Sequence, residues 1–304
     1  MLTGRRQPNT PRIHVGPAGW SYPDWEGRVY PASKPHGFHP LAHIARFFDC
    51  VEVNSSFYAQ PRREHAERWT QLVAERPDFR FYVKLLRDFT HVPEDPDDSW
   101  HAKAREFREG IEPIVRTRRL GALLVQFPIT FLHGKSEVRR LGRLHALFSG
   151  TPLVLELRHA SWFTPPALAV LRGLSFSLAH IDLPPAWNHP PAWHEPIGPI
   201  GYLRLHGRNS ASWFRHEADR DDKYDYLYSR EELEPLVLRA KRIAGQHDET
   251  AVITNNHFSG KAVANALDIL FLINGAPSAA PLELVEAFPH LRGVTRIEGQ
   301  QRLF

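Results

Sequence analysis

Eight short segments of this chain are rich in β-branched, aromatic or aliphatic residues and end in glycine or polar clusters, the signature of strands. They are residues 13–19, 50–55, 80–86, 121–127, 152–158, 176–182, 201–207 and 250–256. Their starts lie 24 to 49 residues apart, too far for hairpins and suited to crossovers through helices. Helical spacing fills the gaps at 39–48, 62–76, 101–117, 136–148, 165–173, 229–245 and 259–274. Within 62–76, Ala66, Trp69 and Val73 recur a turn apart with charges between them. Ser229 and Glu232 have the spacing of a capping box, in which each side chain bonds the other's backbone N–H at a helix start. Residues 183–200 break the alternation, because six prolines and the pair Trp187 and Trp193 predict an irregular loop.

This order predicts an α/β fold: a single (β/α)8 TIM-barrel-like domain with eight mainly parallel strands over residues 12–274. A doubly wound open sheet is the competing topology. Residues 1–11 read as a flexible basic tail, and 275–304 as a C-terminal appendage packed on the barrel.

Residues two apart in a strand share a face, and here one face is unexpectedly polar. Glu52 and Asn54 alternate with Val51 and Val53, Tyr82 with Lys84, Glu156 and Arg158 with Leu155 and Leu157. His180 and Asp182, Arg204 and His206, and Thr254 and Asn256 extend the pattern through strands six to eight. In a barrel the apolar parity meets the helices and the polar parity points inward. That inner set holds Glu52, Glu156 and Asp182 against Lys84, Arg158 and Arg204, so a neutral network is available to offset the cost of burying charge. Glu52, Tyr82 and Arg204 come early in their strands and read as deep structural partners. Asn54, Lys84, Glu156, Arg158, Asp182, His206 and Asn256 come at carboxyl ends, where barrel enzymes keep their chemistry.

Composition narrows the class without naming a partner. With 304 residues, 42% of them hydrophobic, the chain has material for a large core. A formal charge of +4 permits a polyanion without requiring one, and 18 histidines give many groups that titrate near neutrality. Cys50 is the only cysteine, which excludes an intrachain disulfide and a thiolate zinc cage. The chain has no apolar run near the roughly 18 residues of a membrane span, and its start lacks the apolar stretch of a secretory signal. A cytoplasmic protein with no membrane partner is expected. Nucleotide-loop and nucleophile-elbow patterns (GxGxxG, Walker A, GxSxG) are absent.

Seven stretches together carry a family resemblance: GWSYPDWEGRVYP (19–31), VEVNSSFY (51–58), RFYVKLLRDFTH (80–91), LLVQFP (123–128), LELRHASWF (155–163), YLRLHGRN (202–209) and TNNHFSGKAVANAL (254–267). From about residue 13 to about 272 the chain resembles the domain of unknown function 72 family, also described as YecE-like. The resemblance implies a TIM-barrel-like fold and no settled activity. Leu85-Leu86 and His257-Phe258 depart from the family's usual residues after strands three and eight.

Four clusters of candidate chemistry follow. Arg208, Asn209, Asn256 and Lys261, in the loops after strands seven and eight, predict an anion site of the kind barrels use for phosphate; Ser259 as a plain helix cap is the bland alternative. Glu156 and Asp182, with His206 assisting, predict acid/base catalysis, with Arg158 holding a carboxylate ionised and His159 as a further shuttle; a structural Glu156–Arg158 pair is the alternative. Glu156, His159, Asp182, His206 and His257 admit a divalent metal, although no local ligand spacing and no cofactor motif require one. Trp20 and Tyr58, among many aromatics near the mouth, are the expected ring contacts to a ligand. The arginine runs at 116–119 and 139–143 read as solvated helix faces.

The expected function is an enzyme acting on a polar, phosphorylated or sugar-like small molecule. In it Lys84, Arg158 and Arg208 steady negative charge, and Asn54 and Asn256 orient substrate. A nucleic-acid-binding or phosphodiesterase-type barrel using a divalent metal, and a non-catalytic ligand-binding module, are the alternatives. Oligomeric state is not legible.

Overall fold

A computed structural model of the protein describes residues 12–93, 99–213, 215 and 220–298. The expected tail, residues 1–11, and the last six residues of the expected appendage lie outside the described residues.

Strands β1 (Arg12–Pro17), β2 (Cys50–Val53), β3 (Arg80–Lys84), β4 (Leu120–Gln126), β5 (Leu153–Glu156), β6 (Ser177–Leu178), β7 (His180–Asp182), β8 (Gly201–Leu205) and β9 (Glu249–Thr254) fall inside the eight predicted segments, or one residue outside them. The sixth segment contributes two strands. Helices α1 (Pro40–Ile44), α2 (Ser55–Tyr58), α3 (Arg63–Leu72), α4 (Trp100–Arg116), α5 (Lys135–Leu147), α6 (Pro165–Gly173), α7 (Ser210–Trp213), α8 (Arg220–Tyr224), α9 (Arg230–Ala244) and α10 (Lys261–Asn274) lie between and after them. Residues 183–200 contain neither helix nor strand, as their prolines require.

Every strand pair among these nine is parallel, in two sheets ordered β1-β9-β8-β7 and β2-β3-β4-β5-β6. The ladders therefore form two sheets rather than one continuous eight-stranded ladder. At the first seam, Ala18 bridges Glu52, and Gly19 N–H donates to Glu52 O at 2.8 Å. Gly16 makes this approach feasible, because a Cβ there would sit 2.0 Å from Cys50 O. At the second seam, Ala179 N–H donates to Leu155 O while Leu178 N–H is spent on Ile197 O in the proline-rich loop. That diverted donor interrupts strand six between β6 and β7.

The apolar residues form two layers. The larger packs strands against helices, with Val51, Val53, Leu155, Leu157, Leu203 and Leu205 facing outward. The smaller lies inside and includes Ala18, Cys50, Tyr82, Leu124, Val154, Ala179, Ile181, Tyr202 and Ile253. Tyr82 and Tyr202 meet edge to face, ring centres 5.4 Å apart, an arrangement favourable to aromatic pairs.

The helix starts follow their sequence signals. Ser229 Oγ accepts from Glu232 N–H, and Glu232 Oε2 accepts from Ser229 N–H at 2.9 Å, completing the capping box of α9. In α3, Ala66 is buried beside the half-buried Trp69. Beyond α10, β10 (Ser278–Ala280), α11 (Leu282–Ala287) and β11 (Thr295–Ile297) form a small unit whose Leu284, Val285 and Leu291 are buried. No helix among the described residues is long and apolar enough to cross a membrane.

Candidate functional site

The carboxyl ends of the strands carry a charged network closed to solvent at its base. Arg204, on β8, donates from Nε to Glu52 Oε2 at 2.9 Å, from Nη2 to Glu52 Oε1 at 2.6 Å and from Nη1 to Glu156 Oε2 at 2.9 Å. Tyr202 Oη adds a bond to Glu52 Oε2 at 2.9 Å. Arg158, just beyond β5, donates from Nε to Glu156 Oε1 at 2.8 Å. Glu52, Glu156 and Arg204 are completely or almost completely buried. Burial alone would raise the Glu156 carboxyl, but the charges of Arg204 and Arg158 outweigh it and hold the group well below the usual carboxylate range. Glu156 is therefore ionised at neutral pH, a fixed counter-charge with no proton to give.

His206 stands beside it. Asn255 Oδ1 accepts from Arg204 Nη2 at 3.2 Å, which turns the Asn255 amide nitrogen toward His206 Nδ1 at 3.1 Å. That contact assigns the imidazole proton to Nε2, 3.2 Å from Glu156 Oε1 but too far off line for a good hydrogen bond. Burial pushes the His206 imidazole down to about 3 despite the neighbouring carboxylate, so the ring is neutral.

Lys84, at the end of β3, differs from the arginines. Its ammonium makes no ion pair among the described residues, and its Nζ lies 4.0 Å from the centre of the Phe57 ring. Burial, with Arg204 next in weight, pushes the amine down to about 7 against the smaller opposing pull of Glu52 and Glu156.

Two cavities open above this network. The first, about 510 Å³, is lined by Trp20, Tyr22, Asn54, Tyr58, His65, Trp69, Lys84, Arg204, Tyr224, Asn255 and His257, among others. The second, about 580 Å³, is lined by His91, Gln126, Arg158, Asn188, His189, Trp213, Lys223 and Tyr224, among others. Tyr224 belongs to both walls. Among the described residues neither wall contains a carboxylate, because Glu52 and Glu156 sit behind the arginines that bind them. Two polar atoms at these walls are buried with no hydrogen-bond partner among the described residues: Asn54 Oδ1 and Arg158 Nη2. Trp20 is buried edge-on against Trp69, ring centres 5.2 Å apart, whereas Tyr58 is 58% exposed at the rim.

Two predicted strand faces are corrected. In strand six Ala179 and Ile181 face inward, so His180 and Asp182 face the helices. Asp182 accepts from Arg208 Nε and Nη2, each at 2.8 Å, and from Tyr228 Oη at 2.7 Å. It does not join Glu156 in a carboxylate pair. In strand eight Ala251 and Ile253 face inward, and Asn255, not Asn256, reaches the network. Asn256 Nδ2 instead donates to Tyr226 O and to Asn265 Oδ1 on α10, at 2.8 and 2.9 Å.

The predicted anion cradle is filled by the protein's own carboxylates. Arg208 is committed to Asp182, Lys261 to Asp225, and Ser259 N–H donates to Asp24 Oδ2 at 2.5 Å. Asn209 Nδ2 donates to Asp222 O and Asp225 O at 2.9 and 3.2 Å. His159 caps the 3-10 turn Ala160–Phe163 by accepting from Ser161 N–H at 3.1 Å. His257 stacks on Tyr22, ring centres 4.6 Å apart. Glu156, His159, Asp182, His206 and His257 accordingly do not converge, and among the described residues no group of three His, Cys, Asp or Glu side chains is placed to hold a metal.

Sequence reasoning missed Asn255, Trp69, His65, His91, Gln126 and Tyr224. Alternation with Ile253 was a usable signal for Asn255. Tyr224 lies on α8, a five-residue helix that no periodicity announced.

The chain is 29% identical over 282 residues to UPF0759 protein YunF of Bacillus subtilis (strain 168), covering 86% of this chain and 95% of that one. UPF0759 protein YecE of Escherichia coli (strain K12) is 31% identical over 154 residues, half of each chain. The crystal structure of a DUF72 family protein from Thermotoga maritima MSB8 is similar with a TM-score of 0.73 at 30% identity, over 86% of this chain and 99% of that one. A DUF72 family protein from Enterococcus faecalis V583 gives 0.73 at 26% identity, over 86% and 96%. The family described as "Protein of unknown function DUF72" matches residues 14–286, and the chain belongs to it.

Proposed function

We propose that the chain is an enzyme that binds a small, polar, anionic molecule in the paired cavities at the carboxyl ends of its strands, with Lys84 as the group that exchanges a proton. The two sheets act as one closed (β/α)8 barrel in this reading, supported by the Ala18–Glu52 bridge and the Ala179–Leu155 bond across the seams. The observation that carries the proposal is the sign of the walls. Lys84 and Arg204 face one cavity, Arg158 and Lys223 the other, and among the described residues no carboxylate faces either. Arg158 Nη2, buried and without an acceptor among the described residues, is a ready donor for phosphate or carboxylate oxygen.

The proton chemistry moves from the predicted Glu156–Asp182 pair to Lys84. Glu156 is ionised and locked, Asp182 is turned away, and a lysine near its midpoint at neutral pH serves as either acid or base. Trp20 and Trp69 supply flat apolar surface for a sugar or other ring. The arginine runs give the polyanion reading no comparable support: Arg119 donates to Ala74 O and Arg76 O, and Arg140 to Phe89 O and Val92 O. A cytoplasmic location remains part of the proposal.

Tryptophan fluorescence titrations test the reading, using ribose 5-phosphate and glucose 6-phosphate against ribose and glucose, with phosphorus NMR for turnover. Saturable quenching by the phosphorylated sugars alone, lost in Arg158→Met, is expected. Equal response to charged and uncharged sugars, or no response to any, overturns it.

A further inference from the structure

The chain has seven lysines, and Lys84 differs from the four others that bond an oxygen of the protein. Lys34 pairs with Glu26 at 2.6 Å, Lys103 with Asp88 at 2.6 Å, Lys261 with Asp225, and Lys241 donates to Leu272 O at 3.2 Å. Lys84 instead ends a strand inside the molecule, on the wall of the first cavity, with no carboxylate among the described residues paired to it. Arg204 on the same wall adds like charge and already takes both inner carboxylates, Glu52 and Glu156, as its own partners. The Phe57 face favours the ammonium, as does the weaker pull of Glu52 and Glu156. An amine desolvated in this way and set beside another cation is the recognised environment of a nucleophilic lysine.

We propose that Lys84 is an imine-forming lysine, whose ε-amine condenses with the carbonyl carbon of a small anionic aldehyde or ketone held between Trp20, Trp69 and Arg204. The inference rests on the anionic-ligand reading above and adds the reacting group. The neutral Nζ uses its lone pair to form a bond to the carbonyl carbon, and the C=O π electrons move to oxygen. A proton passes from nitrogen to that oxygen to give the carbinolamine, which loses one water as the C=N bond forms. Amine and carbonyl thus yield imine and water, with nothing oxidised or reduced. The same cavity wall presents Asn54 Oδ1, buried and without a partner among the described residues, as an acceptor for the carbinolamine hydroxyl. Burial that pushes the Lys84 amine down to about 7 supplies the neutral form at physiological pH.

Pyridoxal 5′-phosphate is a suitable probe because it joins an aldehyde, a planar ring and a phosphate; its alcohol counterpart, pyridoxine 5′-phosphate, lacks only the carbonyl. The full chain is incubated with each at pH 7.5, binding is followed by tryptophan quenching, and the aldehyde sample is reduced with borohydride and peptide-mapped. Lys84 is expected to carry the reduced adduct at least about tenfold above any other lysine, since an ordinary lysine holds only on the order of a thousandth of its amine neutral at that pH. The yield climbs as pH rises through 7, excess inorganic phosphate suppresses it, and Lys84→Met removes it. If pyridoxine 5′-phosphate quenches but the aldehyde leaves Lys84 unmodified, the imine is wrong and anion binding stands. If neither compound binds, both readings fall. Labelling spread evenly over Lys34, Lys135 and Lys84 overturns the imine proposal as well.

Discussion

Arg204 grips Glu52 through two hydrogen bonds, 2.9 Å from Nε and 2.6 Å from Nη2, in a place where neither side chain meets solvent. The same guanidinium holds Glu156, so one cation neutralises most of two buried anions, with Arg158 supplying the rest. Removing the cation leaves both carboxylates desolvated without compensation. Arg204→Met is therefore expected to cost about 3–5 kcal/mol of stability, the range for breaking one side of a buried ion pair. Adding Glu52→Gln should recover part of the loss. Urea unfolding of the three proteins measures it, and an Arg204→Met protein within about 1 kcal/mol of the parent contradicts the network as described.

Acid should unfold the protein through its neutral histidines. Burial holds His206 down to about 3 and His180 down to about 2, while burial together with Lys84 and Arg158 holds His91 down to about 4. In the unfolded chain each titrates near 6.5. Between these limits the unfolded state binds protons that the folded state refuses, so the contribution of these histidines is complete above about pH 6.5 and declines as pH falls. Each histidine contributes a slope of about 1.4 kcal/mol per pH unit. Unfolding midpoints from pH 7.5 to 4.5 measure the slope, and His206→Asn should reduce it by about 1.4 kcal/mol per pH unit. A stability flat across that interval rules out neutral imidazoles at buried His180 and His206 and half-buried His91.

The parts of this arrangement legible in the sequence are those where apolar residues mark one face without ambiguity. Val51 and Val53, Leu155 and Leu157, and Leu203 and Leu205 all pack outward, which places Glu52, Glu156, Arg158, Arg204 and His206 inside by alternation alone. Strand six offers no such mark. Phe176 and Leu178 share the face of His180 and Asp182, opposite Ala179 and Ile181, so both faces are partly apolar. In strand eight the adjacent Val252 and Ile253 satisfy either register. The predicted anion cradle failed for a different reason: nothing local shows that Asp24, Asp182 and Asp225, distant in sequence, arrive to neutralise it. Trp69 and Tyr224 come from helices, whose approach to the strand ends is set by tertiary packing.

Lys84 should cost the protein stability at neutral pH. Burial, reinforced by Arg204, lowers its amine to about 7, far below the unfolded value near 10.4. In this window the unfolded state binds the extra proton, so stability rises with pH from about 7 toward 10. Lys84→Met removes the penalty while filling similar space, and it should raise the melting temperature by about 2–6 °C at pH 7. The gain should shrink by pH 10. Anion binding in the same variant is expected to weaken, the usual exchange of function for stability at a site. Thermal scans at pH 7 and 10 provide the check, and a lower melting temperature for the variant at both pH values counts against a desolvated amine.

Asp182 separates the predicted acid/base pair from the arrangement found. Its carboxylate receives two bonds from Arg208 and one from Tyr228, and the Tyr228 hydroxyl in turn accepts from Gly207 N–H at 2.9 Å. Asn265 Oδ1 accepts from Tyr228 N–H at 3.0 Å, which extends the connection to α10. These contacts tie the loop after β8 to the start of α9, on the helix side of the strands. Asp182→Asn keeps the shape but weakens charge-assisted bonds, and should cost about 1–3 kcal/mol. Affinity for a phosphorylated sugar should stay within about twofold of the parent, since a residue behind the strands touches no ligand and about 0.4 kcal/mol is the corresponding limit. Arg158→Met, which strips buried Glu156 of one of its two arginine partners, is expected to lose binding and some stability together. Paired urea and fluorescence titrations on the two variants decide the matter: if Asp182→Asn abolishes binding while leaving the unfolding midpoint unchanged, Asp182 belongs to the site and its assignment to the helix side is wrong.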